Sequence, residues 1–282
     1  MTDPSASWSL PQFRSDAERE RVRQLETPFQ IFRFMTGSEH LHFGLWADAD
    51  DPAPDAIAQA QAAMTAKLAE HLLPPPAKVL DVGCGIGGTA LGLAEKGYTV
   101  DALAPPPGLI RYANEVAAER GLAERARFHA TGFLEVPVPA EPFDIALSQE
   151  SLQYIHPLVD TLRHLFASLR PGGRLVVGDQ VLRALEGRGM VQFHVSEEVR
   201  ELAAEVGFEL VHHEDITAAA TPTVANAVRY LERHRDAIVA FFQDTQPAIA
   251  ADLQVCIDNG KQEAQAYAQG QLGYELFVWD RP

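Results

Sequence analysis

A glycine-rich stretch, LDVGCGIGG at residues 80–88, restricts the fold of this chain more than any other sequence feature. It continues a short apolar run, KVLDV, and it precedes TALGLAEK, a segment with helical spacing. Glycines between a strand and a helix let the backbone pass close to a ligand, and the first amides of the helix point toward that ligand. The stretch therefore predicts a strand–turn–helix unit that binds a ligand at the carboxyl end of its strand.

The segments that follow alternate between short apolar runs and helical patterns. Strands are predicted at KVLDV, YTVDAL, ARFHA, FDIALS, RLVVGD and GFELVHHEDI, with helices between them. Turn-sized joints between strands and helices give right-handed crossovers, hence an α/β fold with a mainly parallel sheet covered on both faces. The tail adds helices over residues 223–244 and 247–269, the second interrupted at DNGK, and a last strand, GYELFVW. Helices inserted before a final strand most simply form a cap over the carboxyl edge of the sheet.

The composition excludes several classes of partner. The chain has 282 residues and carries 23 Lys and Arg against 39 Asp and Glu, a net charge of −16. Nucleic-acid binding requires clustered cations, and a membrane span requires about 18 or more apolar residues in a row; the chain has neither. The start, MTDPSASWSLPQF, lacks the pattern of a secretory signal, and the two cysteines form no disulfide framework. We expect a cytoplasmic protein without membrane or nucleic-acid partners, and the sequence leaves open whether it is a homodimer.

The glycine turn satisfies two overlapping cofactor patterns. Gly83, Gly85 and Gly88 fit G-x-G-x-x-G, the dinucleotide pattern. Asp81 and the glycines at 83, 85 and 87 fit D-x-G-x-G-x-G, the S-adenosylmethionine (SAM) pattern. An acid two residues before the first glycine favours SAM, because dinucleotide folds carry an apolar strand residue there. The single α/β unit and the helix–PGG–strand phrase LFASLRPGGRLVVGD favour it too, so SAM is the predicted cofactor and a nicotinamide oxidoreductase the weaker reading.

Four phrases within residues 40–282 carry a resemblance to a known family: HLHFGLW, VLDVGCGIGGTA, SQESLQYI and RPGGRLVVGDQVL. With them the chain resembles the class I SAM-dependent methyltransferases, in particular the small-molecule, type 11-like group that acts on sugars, polyketides and isoprenoids. The resemblance implies a Rossmann-like seven-stranded sheet whose last strand runs antiparallel. We expect an N-terminal helical segment with the HFGLW loop at 1–54, a SAM-binding core at 55–217, a helical cap at 218–270 and a final core strand at 271–282.

The resemblance also assigns residues to the cofactor. Those expected to contact SAM are Asp81, Gly83, Gly85, Gly87, Leu103, Ala104, Gly132, Phe133 and Gln149. Two acids that the family uses are absent, because Ala102 stands where an acid accepts the ribose hydroxyls and Gly132 stands where an acid accepts the adenine amino group. Asp101 is one residue early and, by strand alternation, faces the opposite side. Backbone groups around Gly132, with Phe133 against the adenine, are expected to compensate in part.

Methyl transfer to a hydroxyl or an acidic carbon also requires a proton acceptor. Asp179 ends the RLVVGD strand, and related enzymes carry an acid there with a base or substrate-orienting role; a loop-turn aspartate is the equal alternative. Related sequences often show a His pair where this chain has Gln153 and Tyr154. Tyr154 or His156 would then replace the imidazole base. This departure favours carbon, nitrogen or sulfur acceptors over simple O-methylation by a His/Asp pair.

Three residues are assigned to the substrate side. Glu150 follows strand four and is expected either to orient a substrate amine or hydroxyl or to hold its own loop. His42 and Trp46 are expected either to close over the methionine end of SAM or to pack the N-terminal segment. No metal site is predicted, because His212 and His213 are adjacent on a strand and face opposite ways.

The predicted function is transfer of a methyl group from SAM to a small organic molecule, with the oxygen, nitrogen, carbon or sulfur acceptor undetermined. Two alternatives remain open at this point. One is a methyltransferase fold that uses SAM or a modified SAM for chemistry other than methyl transfer, which the two missing acids motivate. The other is a non-catalytic binding or regulatory relative that retains the fold.

Overall fold

Among residues 15–47, 55–184 and 193–282, which the computed structural model describes, seven strands form one sheet. The strands are β1 Lys78–Val82, β2 Thr99–Ala104, β3 Ala126–Ala130, β4 Phe143–Gln149, β5 Leu169–Leu182, β6 Glu209–Asp215 and β7 Leu272–Asp280. Their order is β3-β2-β1-β4-β5-β7-β6. The first five pair in parallel, and β7 runs antiparallel to both β5 and β6. The predicted seven-stranded sheet with an antiparallel last strand is confirmed.

The helices that connect the strands of the sheet lie close to where the sequence patterns predict them. They are α1 Asp16–Arg23, α2 Phe29–Thr36, α3 Ala56–Ala69, α4 Gly88–Glu95, α5 Pro107–Glu119, α6 Leu158–Ser168, α7 Ser196–Val206, α8 Thr217–Ala220, α9 Pro222–Arg233, α10 Arg235–Phe242 and α11 Ile249–Ala268. The helices α4 to α7 each connect two strands of the sheet. The alternation of strands and helices that the sequence pattern predicts is therefore present in the structure.

The core of the sheet explains why its strands read as continuous apolar runs. The last four residues of β1 are buried, as expected for a central parallel strand covered on both faces. On one face, Leu165 of α6 and Val199 of α7 pack in the same cluster as Val177 of β5 and Phe277 of β7. Burial of this apolar area fixes the register of the strands, and so fixes which residues stand at their carboxyl ends.

The PGG turn lies inside β5 rather than before it. The helix α6 ends at Ser168 and not at Arg170, and β5 already begins at Leu169. The pairing with β4 then jumps, because Phe143 pairs with Leu169 and Ile145 with Arg174. Gly172 has a φ of 72°, so the glycine pair forms an irregular bend within a long strand.

Contacts divide the chain into two compact units. One consists of the described residues up to Met64 together with Ala218–Gln269. The other consists of Thr65–Thr217 together with Gly270–Pro282, and it contains the whole sheet. No helix in the described ranges is both long enough and apolar enough to cross a bilayer.

Two predictions for the tail helices are wrong. The predicted helix over residues 223–244 is divided at His234 into α9 and α10. The predicted interruption at DNGK does not occur, because α11 continues from Ile249 to Ala268. A Cβ at Gly260 would lie 2.7 Å from Cγ2 of Val228, so this glycine lets α11 pack closely against α9. Close packing compensates for the low helix propensity of glycine.

Candidate active site

The glycine turn between β1 and α4 has the backbone that only glycine adopts readily. Gly83, Gly85 and Gly87 have φ values of 84°, 55° and 89°. The amides of Gly83 and Cys84 both donate to the carbonyl of Leu103, at 2.8 and 3.0 Å. The turn is therefore fastened to the end of β2 by two backbone hydrogen bonds. Burial raises the pKa of the Cys84 thiol well above its usual value, which disfavours the reactive thiolate.

Ser151 explains why the first position of the turn must be glycine. A Cβ at Gly83 would lie 2.0 Å from Cβ of Ser151. The Ser151 hydroxyl bonds to the carbonyl of Val82 and lies 2.8 Å from the hydroxyl of Ser148. The loop after β4 is thus in contact with the turn after β1, at the point where the strand order reverses. No local sequence pattern indicates the role of Ser151, because its partners Val82 and Gly83 lie far away along the chain.

The buried polar atoms that lack a hydrogen-bond partner among the described residues include two at this edge, one on β1 and one on β4. Asp81, at 2% exposure, leaves its Oδ2 unbonded, and burial raises the pKa of its carboxyl to about 7. Gln149 accepts a hydrogen bond from the Thr89 hydroxyl at 3.1 Å, but its Nε2 donor is unbonded. Unsatisfied buried polar groups cost free energy, so such a pair indicates a ligand.

The register places the two groups on one side of the sheet. Asp81 pairs with Leu147, and Gln149 lies two residues further along β4, so both side chains project from the same face. Oδ2 of Asp81 is an acceptor that binds a cation favourably, and Nε2 of Gln149 is a donor that binds an anion favourably. An α-amino acid carries both, as an ammonium and a carboxylate. The residues present therefore fit the methionine end of SAM.

The end of β2 lacks a carboxylate on the cofactor side. Ala102 is fully buried, and Leu103 and Ala104 are buried next to it. Asp101 lies 3.5 Å from Nε2 of His129 on β3 and is directed away from Ala102, as alternation predicts. After β3, Phe133 is buried and meets the His164 ring edge-on at 4.6 Å. Apolar side chains, and not an acid, therefore form the end of β2 on this side.

Glu150 has an unusual backbone that aims its side chain. Its φ is 53°, the left-handed region that non-glycine residues rarely occupy. Its amide donates to the carbonyl of Gly178 at 2.8 Å, and its Oε1 accepts a hydrogen bond from the Tyr274 hydroxyl at 2.9 Å. Tyr274 is fully buried in β7. Strained residues that the surrounding structure holds in place cluster at functional sites. The sequence did not indicate that Tyr274 belongs to this site.

Asp179 is buried beneath the loop that follows β4. Its Oδ1 accepts from the amide of Gln180 at 2.8 Å, and its Oδ2 accepts from the amide of Gln153 at 3.2 Å. Burial raises the pKa of this carboxyl to about 7, and the backbone hydrogen bonds counteract part of that rise. The geometry fits the loop-anchoring role considered for Asp179, because both oxygens are occupied by backbone amides.

Tyr154 and His156 lie on the outer side of the same loop. The Tyr154 side chain is 65% exposed, and His156 is exposed with its ring 4.8 Å from the ring of His194. His194 is buried and its Nε2 lies 3.1 Å from the carbonyl of Leu152. These two candidate bases are thus exposed where Asp179 is buried, and their catalytic role stays a prediction.

His42 and Trp46 belong to the other unit and are held within it. The Trp46 indole N–H donates to the hydroxyl of Thr223 at 2.8 Å, and the amide of Gly44 donates to the same oxygen at 2.9 Å. His42 is buried, its Nδ1 lies 2.7 Å from the carbonyl of Phe43, and burial lowers its pKa to about 3. The predicted contacts of His42 and Trp46 with SAM stay predictions.

The two adjacent histidines of β6 contact different neighbours. His212 stacks on His71, and His213 stacks on Phe277 and lies 2.6 Å from a carboxylate oxygen of Glu275. The two rings therefore face opposite sides of the strand. In the described ranges, no group of three or more His, Cys, Asp or Glu side chains is arranged to hold a metal ion.

A family described as a methyltransferase domain matches residues 56–213 of this chain. The matched segment contains the glycine turn, the loop after β4 and Asp179. Methyltransferase GfsG of Streptomyces halstedii is 33% identical over 148 residues, which cover 52% of each chain, so the match spans about half of that relative. The 27-O-demethylrifamycin SV methyltransferase of Amycolatopsis mediterranei (strain S699) is 27% identical over 260 residues, covering 86% of this chain and 90% of that protein.

A solved structure shows the same fold over nearly the whole chain. The [4+2]-cyclase SpnF matches with a TM-score of 0.77 and 23% identity, covering 98% of this chain and 99% of the cyclase. This likeness extends the fold assignment beyond residues 56–213, to the N-terminal segment and the tail helices. At that identity it says nothing about the reaction.

Proposed function

This chain belongs to the SAM-dependent methyltransferases, and we propose that it transfers the SAM methyl group to a small organic molecule of the natural-product class. The pair of unbonded buried groups, Oδ2 of Asp81 and Nε2 of Gln149, carries the proposal. They stand beside the glycine turn at the carboxyl edge of the sheet. The relative from Amycolatopsis mediterranei is named a 27-O-demethylrifamycin SV methyltransferase, which supports the substrate class.

The cofactor is SAM, and the residues that would hold it have separate tasks. Asp81 would bind the ammonium of its methionine end, and Gln149 would donate to its carboxylate. Gly83, Gly85 and Gly87 keep the turn free of side chains, so the backbone itself borders the ligand. When bound, SAM supplies a methyl group that its sulfonium makes electrophilic, so the protein mainly has to hold an acceptor in line with that methyl.

Glu150 is proposed to orient the acceptor. Its carboxylate stands at the end of β4, one residue after Gln149, and the hydroxyl of Tyr274 occupies its Oε1. The carboxylate is proposed to accept from a substrate amine or hydroxyl as well, because each carboxylate oxygen can take more than one donor. Tyr154 and His156, on the exposed side of the same loop, are the groups proposed to take up a proton where the acceptor loses one. Asp179 holds the loop that carries them.

The net charge of −16 also bears on the partners. It supports a proposal that excludes nucleic acids as substrates, because phosphate backbones are bound by clustered cations. A cytoplasmic site of action in small-molecule biosynthesis belongs to the same proposal. The acceptor atom is left to experiment.

Calorimetric titration tests the cofactor site first. We expect SAM and S-adenosylhomocysteine to bind the wild-type protein, and Asp81→Asn to bind them roughly tenfold to a hundredfold more weakly, because a charge-assisted bond is lost. Asp160→Asn, an exposed acid on α6, is the matched control and should bind like the wild type. No heat with either ligand in a folded wild-type sample would refute the proposal.

A panel of amines, phenols, thiols and acidic carbon compounds tests the transfer itself. The expected product is one methyl group heavier by mass spectrometry. Glu150→Gln should reduce its formation strongly, and Tyr274→Phe should reduce it less, because the carboxylate remains. SAM that binds tightly but methylates nothing in the panel would favour the alternative of non-methyl chemistry on this fold.

A further inference from the structure

The loop after β3 brings a carboxylate to a position where the chain itself has no side chain. A Cβ built on Gly132 would lie 3.1 Å from Cδ of Glu135, 3.2 Å from its Oε1 and 3.4 Å from its Cγ. The carboxyl group of Glu135 therefore fills the space that a side chain at position 132 would fill. The sequence does not make this placement evident, because Glu135 lies three residues after Gly132.

The loop holds this carboxylate in place. Its Oε2 accepts from the amide of Gly132 at 3.2 Å and from the hydroxyl of Thr131 at 3.4 Å. The residues from Phe133 to Glu135 form a short 3₁₀ helix, and Glu135 reaches back to its start in the manner of a capping box. Within the part of the chain that the structure describes, Oε1 has no hydrogen-bond donor. One oxygen is thus fixed to the loop while the other is available to a ligand.

The neighbourhood of Glu135 suits an aromatic amine. Phe133, in the same 3₁₀ helix, is a buried aromatic ring. The loop follows β3, and β3 lies two strands from β1 on the side opposite to β4. A ligand whose amino-acid end is held between β1 and β4 would extend past Leu103 and Ala104 toward this loop. An acceptor oxygen at this place recognises a purine that carries an exocyclic amino group.

We infer that Glu135 is the residue that accepts the exocyclic amino group of adenine when SAM is bound. The inference rests on the proposed function, because it assigns one end of the same ligand. It also removes the difficulty that Gly132 raised, because the missing carboxylate is supplied from three residues further along the chain. The ribose position at Ala102 has no such replacement.

The chemistry predicts selectivity between two bases. A carboxylate accepts a hydrogen bond from the amino group of adenine. Hypoxanthine presents a carbonyl oxygen at that position, and the carboxylate repels its partial negative charge. Wild-type protein should therefore prefer S-adenosylhomocysteine over S-inosylhomocysteine. Removal of the carboxylate should lower the affinity for the adenine compound by roughly tenfold, and should affect the hypoxanthine compound little or favour it.

Calorimetry with both compounds on Glu135→Ala and on Glu135→Gln tests this. Glu124→Gln, an exposed acid in the loop before β3, is the matched control. Gly132→Asp in the Glu135→Ala background provides the decisive variant, because Gly132 has φ −73° and ψ 144°, which any residue adopts, and the space is then vacant. We expect that double variant to recover both the affinity and the selectivity.

Each outcome separates this inference from the proposed function. If the wild type binds neither compound, the proposed function fails and the assignment of Glu135 fails with it. If the wild type binds but Glu135→Ala keeps the selectivity, only the assignment is overturned. An equal loss for both compounds that Gly132→Asp does not repair would show that Glu135 merely orders the loop, and this too overturns the assignment.

Discussion

Asp81 links the stability of the fold to pH. Burial raises the pKa of its carboxyl from 3.8 to about 7 in the folded protein, so folding disfavours the charged form. The stability contribution of this group is therefore fully present below pH 3.8 and is lost as the pH rises through about 7. The neutral Asn of Asp81→Asn avoids that loss. We expect the variant to be more stable than the wild type at pH 8, with the difference shrinking toward pH 4.

Urea unfolding of both proteins without ligand, at several pH values, measures this difference. Asp160→Asn should show no such trend, because that residue is exposed on α6. A stability difference that is the same at every pH would mean that Asp81 is already charged in the fold. The ligand-free state is essential, since a bound ammonium would stabilise the carboxylate.

Asp179 is expected to act on the loop and not on the reacting atoms. In Asp179→Ala the amide of Gln153 loses its acceptor, and charged acceptors strengthen such bonds. Hydrogen exchange at Gln153, followed at pH 8 where the wild-type carboxyl is charged, should then accelerate by roughly tenfold or more, because a hydrogen bond to a charged group is worth about 1.5–3 kcal/mol. Mass spectrometry of peptides that cover residues 150–156 measures this, with Asp160→Ala as the comparison. Unchanged protection would return Asp179 to the role of a base.

At the scale of the element, Gly83 and Gly92 form a natural pair for testing the turn. Gly83→Ala places a methyl group 2.0 Å from Cβ of Ser151 at a φ of 84°. The φ alone costs an alanine about 1–2 kcal/mol, and the overlap adds to that. Gly92 lies inside α4 with nothing within 4 Å of a built Cβ, so Gly92→Ala should stabilise the protein by about 0.5–1 kcal/mol.

Urea unfolding and titration with S-adenosylhomocysteine distinguish the two variants. We expect Gly83→Ala to lose stability and binding together, while Gly92→Ala keeps wild-type binding. Wild-type behaviour of Gly83→Ala would mean that the loop carrying Ser151 moves aside at little cost, and the turn would then be less rigid than its hydrogen bonds indicate.

The elements themselves could be predicted to a large extent from the sequence. Strands and sheet helices follow from local periodicity, and the glycine turn follows from residues that are adjacent in the chain. The tail was harder, because Gly260 reads as a helix breaker until the facing Val228 is known. The candidate site depends on contacts between distant segments: Tyr274 and Glu150 are 124 residues apart, so no local pattern reveals their hydrogen bond. Glu135 was missed as well, because the sequence signature of a capping box requires Ser or Thr where this chain has Gly132.

For the whole molecule, the hydroxyl of Thr223 joins segments from opposite ends of the chain. It accepts from the amide of Gly44 and from the indole of Trp46, and Thr223 is 1% exposed. Thr223→Val keeps the volume but leaves both donors buried without an acceptor, at about 1–3 kcal/mol each. We expect a clear fall in the midpoint of thermal unfolding. Thr245→Val, an exposed position of the same unit, should change it little, and equal midpoints for both variants would contradict the expectation.

The same hydroxyl also limits how relatives could exchange specificity. A chimaera that inherits residues 218–269 from another member, but retains its own residues 15–47, would place foreign side chains opposite Gly44 and Trp46. Unless the donor happens to carry a hydroxyl at that place, the graft would begin with two unsatisfied donors in its interior. Recombination that transplants both stretches at once avoids the defect, so laboratory shuffling of this protein should treat them as one cassette.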